Sequence, residues 1–139
     1  MTTSSILRLD GVGIGTLADV SLAVPPGDIH CLSGPSGSGK SRLLRAVADL
    51  EPHAGQVWMG ELAQSSLPAH AWRARVMLVP AESQWWADSV GEHLSAPPAA
   101  EDLAALGFEA AVLDWQVSRL SSGEKQRLAL LRALGQAPS

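Results

Sequence analysis

Cysteine occurs once in this chain, at Cys31, and tyrosine not at all. A single cysteine inside a predicted strand builds no disulfide framework and suits a reducing cytoplasm. The N-terminus lacks a basic segment followed by an apolar run, which argues against a secretory leader. No stretch nears the roughly 20 apolar residues needed to cross a bilayer. There is no block of like charge, and the net charge of −4 is mild, so nucleic acid is not an expected partner. The four histidines, His30, His53, His70 and His93, offer no pair with metal-site spacing. What is left is a soluble, intracellular chain of 139 residues, 46% of them hydrophobic, with single-domain length and enough apolar material for a core.

Within it one stretch stands out, Gly34-Pro35-Ser36-Gly37-Ser38-Gly39-Lys40-Ser41. It matches the phosphate-loop pattern G-x-x-x-x-G-K-[ST] without a mismatch. Its glycines let the backbone curl until successive N–H groups point into one concavity, which suits the β- and γ-oxygens of a nucleoside triphosphate. Lys40 adds positive charge at the phosphates, and the Ser41 hydroxyl is a candidate Mg²⁺ ligand. Residues 28–33 read as a short buried strand leading in. Residues 42–50 read as a helix with its positive end toward the phosphates. The competing reading is a glycine-rich turn that binds nothing.

The chain before the loop is β-rich. Residues 6–9 alternate, a turn is expected across Gly11, Gly13 and Gly15, and alternation resumes over 17–24. After the loop, Leu43, Leu44, Val47 and Leu50 predict one apolar helix face. Residues 56–59 predict a strand, 68–73 a short helix, and 75–79 a further apolar strand stopped by Pro80. Small helices are expected at 89–94, 99–106 and 108–113. Together these give an α/β fold with an antiparallel β layer, a parallel core sheet and a helical insertion. The organisation expected is a β layer plus loop core over about 1–80, a helical subdomain over about 81–120, and a last helix over 121–136.

That last helix opens on Leu120-Ser121-Ser122-Gly123-Glu124-Lys125-Gln126-Arg127. Ser121 and Glu124 have capping-box spacing, in which hydroxyl and carboxylate each satisfy a backbone N–H of the other. Gly123 keeps the first turn open to an approaching ligand. Alone this is an ordinary capped helix; downstream of a phosphate loop it says more.

From about Ile6 onward the chain resembles the nucleotide-binding domain of ATP-binding cassette (ABC) transporters. Gly34 to Ser41 is similar to the family's Walker A loop, with Arg42 beside it at the nucleotide. Leu120 to Glu124 is similar to its signature motif. The resemblance implies ATP and Mg²⁺ as cofactors and a head-to-tail homodimer. In that dimer Ser121, Ser122, Gly123 and Glu124 would face the ATP held by the partner's loop. It also implies an integral membrane transporter subunit as partner, and a place on the inner face of the membrane. Trp85 and Trp86 would lie where that subunit docks, as anchors or tucked into the core. The small helical region looks most like stand-alone subunits of the iron-export type.

The chain departs from the family pattern in four places. Ile14 stands where an adenine-stacking aromatic is usual, so contact with the base would be apolar. Arg42 stands where a threonine or serine often helps hold the α-phosphate. Ala81 occupies the usual place of the Q-loop glutamine, with Gln84 nearby as a possible substitute. Finally, the 139 residues stop before the Walker B strand with its Asp-Glu pair and the later histidine. The expectation is therefore a chain without its C-terminal strands, carrying no catalytic residue and deficient in hydrolysis alone. It would also be left with open strand edges and poor solubility. A non-catalytic fragment that at most binds nucleotide stays open, as does a soluble ABC ATPase of the DNA-repair or translation class.

Overall fold

The computed structural model describes residues 5–80 and 82–135. They fall into two compact units, one ending at Leu78 and the other beginning at Val79.

The first unit is built on β1 (Leu7–Ile14). It lies antiparallel between β2 (Leu17–Val24) and β3 (Ala54–Met59), and β4 (Leu62–Ala63) extends the sheet in the order β2-β1-β3-β4. Strand side chains alternate faces, so Leu7 and Leu9 could share the core face with Val12 and Ile14 only if one residue were inserted between the pairs. The register does shift there, in both ladders. Such a bulge resets the alternation. Gly11 adopts a left-handed φ of 59°, and its N–H donates to the Ser21 hydroxyl at 2.9 Å. Opposite it, Gly55 passes so close that a Cβ would run into the Gly11 carbonyl. The turn expected across Gly11, Gly13 and Gly15 is thus confined to Gly15 and Thr16, and the earlier glycines belong to the strand.

Helix α1 (Lys40–Val47) packs Leu43 and Ala46 into the sheet, in a core with Leu9, Val12, Ile14, Val57 and Trp72. The expected face of Leu43, Leu44, Val47 and Leu50 is corrected here. The chain leaves the helix at Ala48, and Asp49 takes a left-handed φ of 60°, so Leu50 lies outside the helix. Leu44 and Leu50 are about half exposed. The last carbonyls of α1 are satisfied by side chains from later in the chain. The Val47 carbonyl accepts from Trp72 Nε1 at 2.8 Å and from Gln64 Nε2 at 3.1 Å, and Gln64 also donates to Ala46 at 2.8 Å. His53 Nε2 sits 2.6 Å from Gln64 Oε1 and holds that amide in place. Trp72 reaches Val47 from α2 (Ala69–Arg73), the short helix that Pro68 introduces.

Neither segment expected to form the parallel core sheet is a strand. Residues 28–33 and 75–79 carry no ladder, and Ile29 is 90% exposed. Cys31 is exposed rather than buried. A strand exists only through a neighbour that takes its backbone hydrogen bonds, and no such neighbour occurs among the described residues.

The second unit is helical. It comprises α3 (Ala100–Ala105), α4 (Ser122–Gly135) and 3₁₀ turns at Gly91–His93, Ala110–Asp114 and Val117–Arg119. Its core gathers Val90, Leu103, Phe108, Val112, Leu120, Leu128 and Leu131. His93 is buried at 3% exposure. Its Nε2 accepts from the backbone N–H groups of Trp86 and Ala87, at 3.0 Å each. That assigns the proton to Nδ1, which donates to the Ser89 carbonyl at 2.9 Å. The Trp85 and Trp86 rings stand edge-on to the imidazole, and the Arg132 guanidinium lies over both indoles.

Candidate nucleotide-binding site

The loop from Gly34 to Ser41 closes as a tight, concave turn. Gly37 and Gly39 take left-handed φ values of 82° and 101°, which the tight curl requires and side-chain-bearing residues resist. The Ser38 N–H returns to the Pro35 carbonyl at 3.2 Å. Lys40 folds back over the loop, donating to the Gly34 carbonyl, to the Pro35 carbonyl at 2.8 Å and to the Ser38 hydroxyl at 3.3 Å. The ammonium is thereby held over the concavity. Ser36, Gly37, Gly39, Lys40, Ser41 and Arg42 line a hollow of about 430 Å³.

Helix α1 begins at Lys40 with Gly39 as N-cap, no side-chain cap and no acidic residue in its first turn. Its leading N–H donors and the positive end of its dipole are therefore uncompensated and favour an anion. The Ser41 side chain is exposed in that first turn. Among the described residues no cluster of three or more His, Cys, Asp or Glu could hold a metal alone. A single hydroxyl suits Mg²⁺, which keeps several waters and is usually shared with phosphate oxygens.

One expectation about the site changes. Ile14 is 5% exposed and part of the core under α1, so it offers no surface to a base. Ala81 lies outside the described residues. Gln84 is exposed, and its carbonyl accepts from Arg132 Nη1 at 2.8 Å, which fixes its backbone.

In the second unit the capping box at the head of α4 is formed. The Ser121 N–H donates to Glu124 Oε1 at 2.9 Å, and the Glu124 N–H donates to the Ser121 hydroxyl at 3.2 Å. The Ser121 N–H and then its hydroxyl hold the Glu124 carboxyl below its ordinary pKa, with Arg127 and Arg119 adding to the effect. Ser121, Ser122 and Gly123 are exposed, and a Cβ on Gly123 would meet nothing within 4 Å. The first turn of α4 is therefore open to a ligand.

Sequence reasoning missed Glu51, which pairs with Arg42 and Arg45, as well as the Gln64 and Trp72 caps on α1. No local pattern signals them, because each acts across several elements.

The family model described as ABC transporter matches residues 17–139. The chain belongs to the ABC transporter family. Among curated relatives, the "Fe(3+) ions import ATP-binding protein FbpC" of Streptomyces coelicolor is 38% identical, over 96% of this chain and 43% of that protein. The "Zinc import ATP-binding protein ZnuC" of Pseudomonas putida is 34% identical, over 98% and 54%. The "Aliphatic sulfonates import ATP-binding protein SsuB 1" of Rhodococcus jostii is 33% identical, over 99% and 59%. The chain thus spans about half the length of these relatives. A solved structure titled "Structure of a bacterial Atm1-family ABC exporter with ATP bound" superposes with a TM-score of 0.79 at 25% identity, over 99% of this chain and 29% of that one. The family is what these proteins share; the direction of transport is not. No helix among the described residues is long and apolar enough to cross a membrane.

Proposed function

We propose that this ABC chain binds Mg-ATP through Gly34, Pro35, Ser36, Gly37, Ser38, Gly39, Lys40 and Ser41, as part of the ATP-binding subunit of a transporter. The observation that carries the reading is Lys40 held over a glycine cradle at the uncapped start of α1. In that role the cradle N–H groups bind the β- and γ-phosphate oxygens, Lys40 offsets their charge, and Ser41 holds the Mg²⁺ they share.

The exposed head of α4 supports a second contact. Ser121, Ser122, Gly123 and Glu124 would meet the γ-phosphate bound by a second copy in a head-to-tail dimer, with the dipole of α4 adding attraction. The ATP-binding names of the relatives support a cytoplasmic location beside an integral membrane subunit.

The test is the thermal stabilisation of the chain by Mg-ATP, with and without Lys40→Ala. Ligand at about 100 times its Kd adds roughly 2.7 kcal/mol to a protein that binds it only when folded. Wild type should show a rise in Tm that Lys40→Ala loses. Equal responses would refute the loop assignment.

A further inference from the structure

The side chain of Arg42, next to the cradle, is held in a way that phosphate binding does not call for. Its Nε and Nη2 both contact Glu51 Oε1 at 3.2 Å. Glu51 is further tied to Arg45 at 3.6 Å. On another side the guanidinium rests on the β1–β2 turn, where a Cβ built on Gly15 would come within 2.6 Å of Arg42 Nη1 and 3.4 Å of Cζ. Gly15 is therefore a glycine for two reasons: its φ of 58°, and the room its missing side chain leaves for Arg42. Half of the Arg42 side chain remains exposed. Its Nε and Nη2 donors are spent on a carboxylate that also offsets its charge. What it offers a ligand is chiefly its plane.

The same turn adjoins the loop, since a Cβ on Gly39 would stand 3.0 Å from Leu17 Cγ. A nucleoside whose phosphates occupy the cradle would leave it past the exposed side of Arg42, since the guanidinium itself covers the turn. No aromatic ring serves a base there. The aromatic side chains of the first unit are Trp58 and Trp72. The Trp58 ring is covered by the Arg8 guanidinium, 5.2 Å from its centroid, and Trp72 is fully buried. We infer that the Arg42 guanidinium is the stacking platform for the base of the bound nucleotide, with Glu51 as the positioning residue that presents it flat. Resting on the nucleotide reading above, this adds a base-contacting residue to it. A cation on an aromatic face contributes about 0.5 to 2 kcal/mol, or roughly 2- to 30-fold in affinity.

The experiment compares ATP with inorganic tripolyphosphate, each with Mg²⁺, by calorimetry on the 139-residue chain. The variants are Arg42→Ala, Arg42→Lys and Arg42→Trp, beside Lys40→Ala. A stacking plane predicts that Arg42→Ala and Arg42→Lys weaken ATP by about 2- to 30-fold while tripolyphosphate binding holds, and that Arg42→Trp restores ATP. If tripolyphosphate weakens as much as ATP, Arg42 is a phosphate ligand and the stacking role is overturned. It is overturned equally if Lys40-dependent ATP binding is the same with or without Arg42, while the nucleotide reading survives. Should wild type bind neither ligand, the nucleotide reading itself fails and takes this one with it.

Discussion

The carbonyl of Val47, the last residue of α1, has two side-chain donors, and this gives a sharp test of how the phosphate-loop helix is anchored. Trp72→Phe keeps an aromatic ring but removes the Nε1–H that reaches Val47 at 2.8 Å. Gln64→Met keeps the length of the side chain but removes donors to Ala46 and Val47. A net hydrogen bond contributes about 0.5–1.5 kcal/mol, so with some lost packing each single change should cost about 1–2 kcal/mol. The Ala46 carbonyl keeps the Asp49 N–H at 3.1 Å in either variant. The Val47 carbonyl keeps one donor in each single variant and loses both in the double. A buried acceptor without a partner costs about 1–3 kcal/mol, and Val47 is only half-buried, so an extra penalty of about 1 kcal/mol is expected. Urea unfolding of wild type, both singles and the double gives this coupling, provided the slope m is shared. Independent sites add within about 0.3–0.5 kcal/mol. If the double equals the sum of the singles within that margin, the two side chains do not share the end of α1 and the anchoring argument fails.

Two further outcomes concern the second unit. His93→Leu removes the one acceptor serving the N–H groups of Trp86 and Ala87, and should cost about 2–4 kcal/mol; hydrogen exchange at those two amides should accelerate, and unchanged protection would count against it. Glu124 has a folded pKa below its ordinary value, so its contribution to stability is complete above the unfolded pKa and fades as pH falls through the lower folded one. The difference in Tm between wild type and Glu124→Gln should therefore shrink under acidic conditions, and a difference that grew on acidification would contradict the capping box as its source.

The phosphate loop, the head of α4 and the strands of the β layer were legible because each is written locally: a glycine spacing, a serine three residues before a glutamate, an alternation of apolar side chains. Even the capping box appears with the reciprocal bonds its spacing implies. Misreadings arose wherever a residue's role depends on a distant neighbour. Gly11 looks like a turn residue in sequence, and only the facing Gly55 and Ser21 make it a bulge. Ile14 held the expected place of a base contact, yet the packing of α1 on the sheet turns it into the core. Residues 28–33 have a strand's composition, but composition supplies no ladder partner.

By itself, then, the sequence determined where the backbone curls tightly between β2 and α1, because that needs only glycines free to take a left-handed φ, as Gly37 and Gly39 do. It also settled that α4 starts at a serine. Tertiary structure decided what surrounds those pieces: which side chains close the far end of α1, that Glu51 pairs with Arg42 beside Gly15, and that His93 pins the Trp85–Trp86 loop. Turns and caps depend on neighbours a few residues away and can be read off the chain. Ion pairs and shared carbonyl acceptors join residues that only folding brings together.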